Sequence, residues 1–225
     1  GVQTCALPIF SLANHGLENQ VESLNKQLVQ ISRSAVGTDC MVAGDLTTTG
    51  RQDAEYEMLL DAYREQISAQ LEAGVDLLVA ETMLGVTEPM AVLDAARELC
   101  NLPVMCTLTV ESDGSLFFGG NIYDSVELLE EMGADAVGIN CSTGPDQLLS
   151  VVENIRKRIE IPLIVKPNAG NPVIDHTGNP VYSMGAEEFS CHIKRLIDAG
   201  ANLVGGCCGT TPDYIEQLVR LKSSF

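Results

Sequence analysis

Short apolar runs alternate with longer amphipathic ones along most of the chain. Six runs rich in Val, Ile, Leu and Ala read as strands: Met41–Gly44, Asp76–Glu81, Pro103–Thr109, Ala136–Asn140, Pro162–Lys166 and Asn202–Gly205. Their apolar positions are nearly continuous, the pattern of strands covered on both faces. A segment of helical period follows each. Leu60, Tyr63, Ile67 and Leu71 make one such stripe, and Phe189, Ile193 and Leu196 make another. Leu17 to Ser34 predicts a helix with no strand ahead of it. The repeated β-then-α order predicts an α/β fold with a parallel sheet, either a barrel or a doubly wound sheet. No linker or second domain interrupts the repeat. The longest irregular stretch, Pro167 to Ser183, follows a strand, and loops of that length in compact domains are usually functional or disordered.

A weak internal repeat sharpens this reading. Ala73-Gly74-Val75-Asp76, Met132-Gly133-Ala134-Asp135 and Ala199-Gly200-Ala201-Asn202 share one pattern. A helix ends, glycine takes the left-handed position after it, and a strand begins behind a small residue and an Asp or Asn. Seven residues beyond each glycine stand Glu81, Asn140 and Cys207; eight beyond stand Thr82, Cys141 and Cys208. Polar and thiol side chains thus recur at strand carboxyl ends with equal offsets. In a β/α barrel that end is the active face.

Composition narrows the function classes. The 225 residues suffice for one sizeable core. Thirteen basic against 31 acidic residues give a net charge of −18, a field that repels nucleic acids and anionic membrane surfaces. No stretch approaches the roughly 18 apolar residues of a membrane helix. The N-terminus shows no basic segment followed by an apolar one, so no secretory signal is expected. The eight cysteines therefore read as reduced thiols of a cytoplasmic protein, some of them metal ligands.

The run Gly205-Gly206-Cys207-Cys208-Gly209-Thr210-Thr211-Pro212 carries the strongest local signal. Adjacent cysteines can reach one metal where the backbone bends sharply, and the flanking glycines permit that bend. Thr211 and Pro212 are expected to cap and start a helix. The bland alternative is a pair of buried small hydrophobes at a strand end. Cys141, in Gly138-Ile139-Asn140-Cys141, holds the matching offset on another strand. Three thiolates at one mouth suit tetrahedral zinc with an open fourth position, the arrangement of a catalytic site. Cys40 and Cys106 are candidate fourth ligands, although Cys40 precedes its strand and Cys106 lies inside one. Cys5, Cys100 and Cys191 read as non-catalytic thiols, and His176 as a solvated loop residue.

These motifs resemble the homocysteine S-methyltransferase domain, from about Phe10 to Leu221, most closely the homocysteine-binding barrel of the cobalamin-dependent methionine synthases. Val42-Ala43-Gly44-Asp45-Leu46, Leu78-Val79-Ala80-Glu81-Thr82, Gly138-Ile139-Asn140-Cys141, Pro167-Asn168-Ala169-Gly170 and the Gly205–Pro212 run carry the likeness. It implies a (β/α)8 TIM-type barrel with about six of its eight βα units present. It makes Cys141, Cys207 and Cys208 the zinc ligands and Glu81 the acid that holds the substrate amino group. The alternative for Glu81 is a strand-end carboxylate capping a loop. Asn140 and Asn168 are implied to lie beside the metal and substrate, as binding or as orienting residues. The implied reaction methylates L-homocysteine to methionine, with the zinc-bound homocysteine thiolate as nucleophile. The methyl donor stays open among methylcobalamin, methylfolate through a corrinoid, betaine and S-methylmethionine; methylcobalamin would be supplied by a corrinoid domain or protein. A methyltransferase acting on another thiol or selenol, and a non-catalytic zinc-binding barrel, are the competing readings.

The chain departs from the resemblance in two places. Residues 1–9 read as a foreign or artefactual leader before a partial barrel domain over 10–225. The family's first strand is missing, and its second is expected to survive only as an end at Phe10. Thr47-Thr48 stands where relatives often have Gly-Pro. An unclosed barrel exposes sheet edges, so the polypeptide as written is expected to fold poorly and to be weakly active or inactive.

Overall fold

The computed structural model describes residues 2–3 and 8–222; Cys5 lies outside the described residues, as does most of the stretch expected to be a leader. All six expected strands form, joined by helices in the expected order. In chain order the elements are β1 (Val2–Gln3), α1 (Ile9–Ala13), α2 (Val21–Val36), β2 (Val42–Thr47), α3 (Tyr56–Glu72), β3 (Leu77–Met83), α4 (Thr87–Leu99) and β4 (Val104–Leu108). They continue with α5 (Ile122–Glu131), β5 (Ala136–Cys141), α6 (Leu149–Arg156), β6 (Leu163–Pro167), β7 (Pro172–Ile174), β8 (Pro180–Tyr182), α7 (Ala186–Asp198), β9 (Leu203–Val204) and α8 (Pro212–Lys222).

The chain divides into two compact units, residues 1–107 with 131–135, and residues 108–130 with 136–225. In the first, β2 and β3 pair in parallel, with Thr47 opposite Glu81, and β1 pairs in parallel with the start of β2. Leu59, Tyr63 and Ile67 line a buried face of α3, and α4 is buried at Ala91, Val92, Leu93, Ala95 and Ala96. In the second unit β5 pairs in parallel with β6, and β6 with β9. Phe189, Ile193 and Leu196 are buried on α7, as their spacing predicts. Among the described residues no helix is long and apolar enough to cross a membrane.

Three expectations need correction. Phe10 belongs to helix α1 and is not a strand end. The Leu17–Ser34 helix begins at Val21, behind a short 3₁₀ turn over Glu18–Gln20. The stretch from Pro167 to Ser183 is not irregular throughout, because β7 and β8 form an antiparallel hairpin with Val173 opposite Val181. Its strands are only three residues long and mostly exposed, too short for a clear apolar alternation.

The repeat seen in the sequence has a physical cause. Gly74, Gly133 and Gly200 all adopt positive φ and end their helices. The Asp or Asn two residues on makes a reciprocal pair with the first residue of a neighbouring strand. Asp76 N–H donates to Val42 O at 2.8 Å, and Val42 N–H donates to the Asp76 carboxylate at 2.6 Å. Asp135 does the same with Val104, both bonds at 2.8 Å, and Asn202 with Leu163, both at 2.9 Å. Each side chain satisfies the first amide of a strand. The Asp76 carboxyl is held below the ordinary carboxylate range, first by the Val42 amide and then by Arg33.

The loop after β2 is tied down by a buried carboxylate. Glu88, at the start of α4, accepts from the Thr48 and Thr49 hydroxyls, each at 2.5 Å, and from the Thr49 amide at 2.6 Å. The departure at Thr47-Thr48 therefore has a partner on α4.

Replacing Asp135 by Ala strands the Val104 amide and is expected to cost about 1–3 kcal/mol. Urea denaturation with an unchanged m-value checks this. Asp135→Asn keeps an acceptor oxygen and should recover at least half of the loss. An unchanged midpoint for Asp135→Ala would show the side-chain arm to be dispensable.

Candidate metal centre

The second unit brings Cys141, Cys207 and Cys208 together. One sulfur of each lies within 4.8 Å of the others, and Cys141 Sγ stands 3.8 Å from Cys208 Sγ. Tetrahedral coordination with zinc–sulfur bonds of about 2.3 Å separates neighbouring sulfurs by about 3.8 Å. The cluster thus fits a thiophilic ion after closing by about 1 Å at its widest. The donor set is soft and suits zinc or another thiophilic metal over calcium or magnesium. Among the described residues the cluster contains neither Cys40 nor Cys106. Cys40 is exposed ahead of β2, and Cys106 is buried within β4, where desolvation and then the Asp135 charge push its thiol up to about 12. Cys100 and Cys191 lie at the end of α4 and on α7, outside the cluster.

Local backbone shape sets the sulfurs' directions. Cys141 ends β5 at φ +57° and Ser142 follows at φ +59°, two consecutive non-glycine residues in the left-handed region. Such conformations cost energy and persist only where neighbours fix them. Here Ser142 Oγ accepts from Val110 N at 2.9 Å and donates to Asn140 O at 3.0 Å. Thr82, at the same repeat offset after β3, is also left-handed, at φ +59°. In the third repeat the left-handed residue is Gly209, at φ +80°, one position later. Thr210 folds back over Gly206, and its hydroxyl donates to Cys207 O at 2.7 Å. Pro212 begins α8, as expected.

Asn168 joins the two cysteine segments. Its Oδ1 accepts from Cys208 N at 3.0 Å, and its Nδ2 donates to Ser142 O at 3.2 Å. Its own amide donates to Thr143 O, and the next amide, Ala169 N, donates to Cys208 O. Asn168 is 4% exposed and Asn140 1%. Asn140 Nδ2 donates to Cys207 Sγ across 3.8 Å. Both asparagines are therefore built into the thiol cluster. Glu81 lies in the first unit, half-buried near the end of β3, with its carbonyl accepting from the Thr47 hydroxyl at 3.1 Å. His176 is exposed in the β7–β8 turn.

The electrostatics are those of crowded thiols. The Cys141 thiol is held well above its ordinary range, first by its hydrogen bond with Cys207, then by burial and the charges of Cys207 and Cys208. One residue beside the cluster has no signal in the sequence. Tyr182, at the end of β8, lies against Gly209, and its phenol pKa is raised by burial and then by Cys208. Nothing in a stretch read as irregular points to it.

A parallel α/β arrangement with three thiols gathered at strand ends defines a class of α/β proteins with a thiol cluster, and comparison with known proteins narrows it. The family model for homocysteine S-methyltransferase matches residues 3–221, and the chain belongs to that family. The methionine synthase of Mycobacterium leprae is 35% identical over 170 residues, 73% of this chain. That of Mycobacterium tuberculosis (strain ATCC 25618 / H37Rv) is 34% identical over 177 residues, 76% of this chain. The matched regions are 14% and 15% of those relatives' lengths. The Escherichia coli homocysteine methyltransferase MmuM, solved in a metallated form, aligns with a TM-score of 0.79 at 25% identity, covering 97% of this chain and 78% of that one. Its apo form aligns at 0.74 and 23%. The fold class is accordingly the α/β barrel type of the homocysteine methyltransferases.

Asn168→Ala removes both bonds that join the cysteine segments. The Cys208 amide is expected to exchange with deuterium about tenfold faster or more, and the global stability to fall by about 1–3 kcal/mol. Hydrogen exchange on the 207–212 segment, read beside a urea melt, checks this. Unaltered exchange at Cys208 would show that Asn168 does not hold the turn.

Proposed function

We propose that the homocysteine-binding barrel to which this chain belongs serves methyl transfer to the thiol of L-homocysteine, giving methionine, with zinc held by Cys141, Cys207 and Cys208. The observation that carries the reading is the convergence of three sulfurs from two strand ends, in a chain of the homocysteine S-methyltransferase family. A three-thiolate set leaves the fourth tetrahedral position to the substrate. When bound, zinc supplies a site at which a substrate thiol gives up its proton at neutral pH. In the transfer, the substrate sulfur forms a bond to the methyl carbon while the donor's bond to that carbon breaks. The thiol proton goes to solvent, and the product is a neutral thioether that ligates metal more weakly.

The protein's own residues position this chemistry. Asn168 fixes the two cysteine segments relative to each other, and Asn140 donates toward Cys207 and tempers its charge. Glu81, at the repeat offset shared by Asn140, is assigned to the substrate's ammonium group. The donor proposed is methylcobalamin, carried by a corrinoid domain or protein, since the methionine synthases are the relatives matched in sequence. Eight cysteines, read as reduced thiols, fit a reducing compartment, the cytoplasm.

About one zinc per chain is expected by metal analysis, and Cys207→Ser should lose the metal together with methyl transfer to homocysteine. The metal–sulfur shell, measured by X-ray absorption, should gain one sulfur when L-homocysteine is added. Four protein sulfurs before and after would make the site structural and end the reading. Zinc binds thiolates, and an ordinary thiol is mostly protonated at neutral pH, so zinc must displace protons from its ligands. Affinity should therefore rise by at least about tenfold from pH 6 to pH 7 and fall as the pH is lowered. A flat profile would contradict zinc ligation by cysteine thiols.

A further inference from the structure

The β7–β8 hairpin is anchored next to the thiols. Met184, just past β8, donates its amide to Ala169 O at 3.3 Å, and its carbonyl accepts from the Tyr214 hydroxyl at 2.5 Å. Tyr214 packs edge-on against the buried Phe189, with ring centroids 5.4 Å apart. The hairpin base is thus tied both to the Asn168–Gly170 segment and to α8. Its last residue, Tyr182, lays its ring across the backbone of Gly209. A Cβ added at Gly209 would collide with Cγ, Cδ1 and Cδ2 of that ring. Gly209 is therefore constrained twice, by its positive φ and by the ring upon it. The residue so covered directly follows Cys208, the exposed member of the cluster.

We propose that Tyr182 is a positioning residue of the metal centre: its ring clamps the Cys208–Gly209 turn, and its hydroxyl serves the Cys208 sulfur as a hydrogen-bond donor. The inference rests on the three-cysteine zinc reading. Cys141 is held by a left-handed backbone and by the Ser142 bonds, and Cys207 receives the Asn140 amide. Cys208 has its backbone fixed through Asn168 and Ala169, and its sulfur lies 3.8 Å from Cys141 Sγ. The ring and hydroxyl of Tyr182 supply the side-chain constraint that the other two sulfurs already have. Groups in this role typically change metal affinity by about 10–100-fold when removed.

The test compares the parent protein with Tyr182→Phe and Tyr182→Ala in two measurements. Metal-free protein is alkylated with iodoacetamide, and the rate at Cys208 is taken relative to exposed Cys40 by peptide mass spectrometry. Zinc affinity is measured by competition with a chromophoric chelator, and cobalt(II) is substituted to read the thiolate-to-metal charge-transfer band. Tyr182→Ala is expected to speed Cys208 alkylation several-fold and to weaken zinc binding by about 100-fold. Tyr182→Phe keeps the ring and should leave alkylation near the parent rate. It should still weaken zinc binding by about tenfold and shift the cobalt band. Parent values for affinity and band in both variants would overturn the inference while leaving the zinc reading intact. A parent protein that binds neither zinc nor cobalt would overturn the zinc reading, and this inference with it.

Discussion

The reciprocal bond pair between a helix-end Asp or Asn and the first residue of a neighbouring strand sets the register on which everything else depends. A parallel strand pair slipped by one residue would turn every side chain to the opposite face. Asp76 with Val42 fixes the β2–β3 register and Asn202 with Leu163 the β6–β9 register, each with two bonds at one residue, and Asp135 holds the first residue of β4 by the same two bonds. The strands that follow differ in length, Leu77–Met83, Ala136–Cys141 and Leu203–Val204, but the count from each glycine is the same. Glu81, Asn140 and Cys207 occupy one offset from their glycines, and Thr82, Cys141 and Cys208 the next. The glycine that ends the helix thus determines, seven and eight residues later, which side chains stand at the strand's carboxyl end.

Register alone does not aim the sulfurs. The left-handed turn at Cys141 and Ser142 and the one at Gly209 reverse the chain just beyond the strands. A non-glycine residue holds such a conformation only against a cost, and two in succession require outside support. The Ser142 side chain supplies part of it. Asn168 supplies the rest, from a third position in the chain: one amide group bonds the carbonyl after Cys141 and accepts the N–H of Cys208. A single side chain of two donors and one acceptor therefore sets the spacing of cysteines 67 residues apart in sequence.

What could be read from the sequence follows from the range of the interactions involved. The six strands, the stripes on α3 and α7 and the positive φ of the helix-end glycines depend on local pattern, and all were readable. So was the convergence of Cys141, Cys207 and Cys208, because equal offsets on parallel strands translate directly into proximity. The reason for Asp and Asn in the repeat was not, since their partners Val42, Val104 and Leu163 lie 31 to 39 residues away. The Thr48–Glu88 contact is of the same kind, between residues 40 apart. The hairpin escaped because its strands have three residues each, and Tyr182 with it. Phe10 was misread as a strand end because one aromatic residue carries no period.

The donor set also explains a tension in the protein's charge. A net charge of −18 would seem to disfavour gathering three further anions at one point. Crowding of the sulfurs, with Cys141 Sγ 3.8 Å from Cys208 Sγ, raises the Cys141 thiol above its ordinary range and so favours its protonated form. Metal binding to thiols releases protons, and a bound cation then balances the charge that the sulfurs acquire. Asn140 and Asn168 suit both states, since neutral amides can hydrogen-bond thiol or thiolate and add no charge of their own. Lysine or arginine in their places would pull the protons off in advance and compete with the metal for the sulfurs. The choice of buried neutral amides beside three cysteines is what a site needs when its charge is to be balanced by a bound ion.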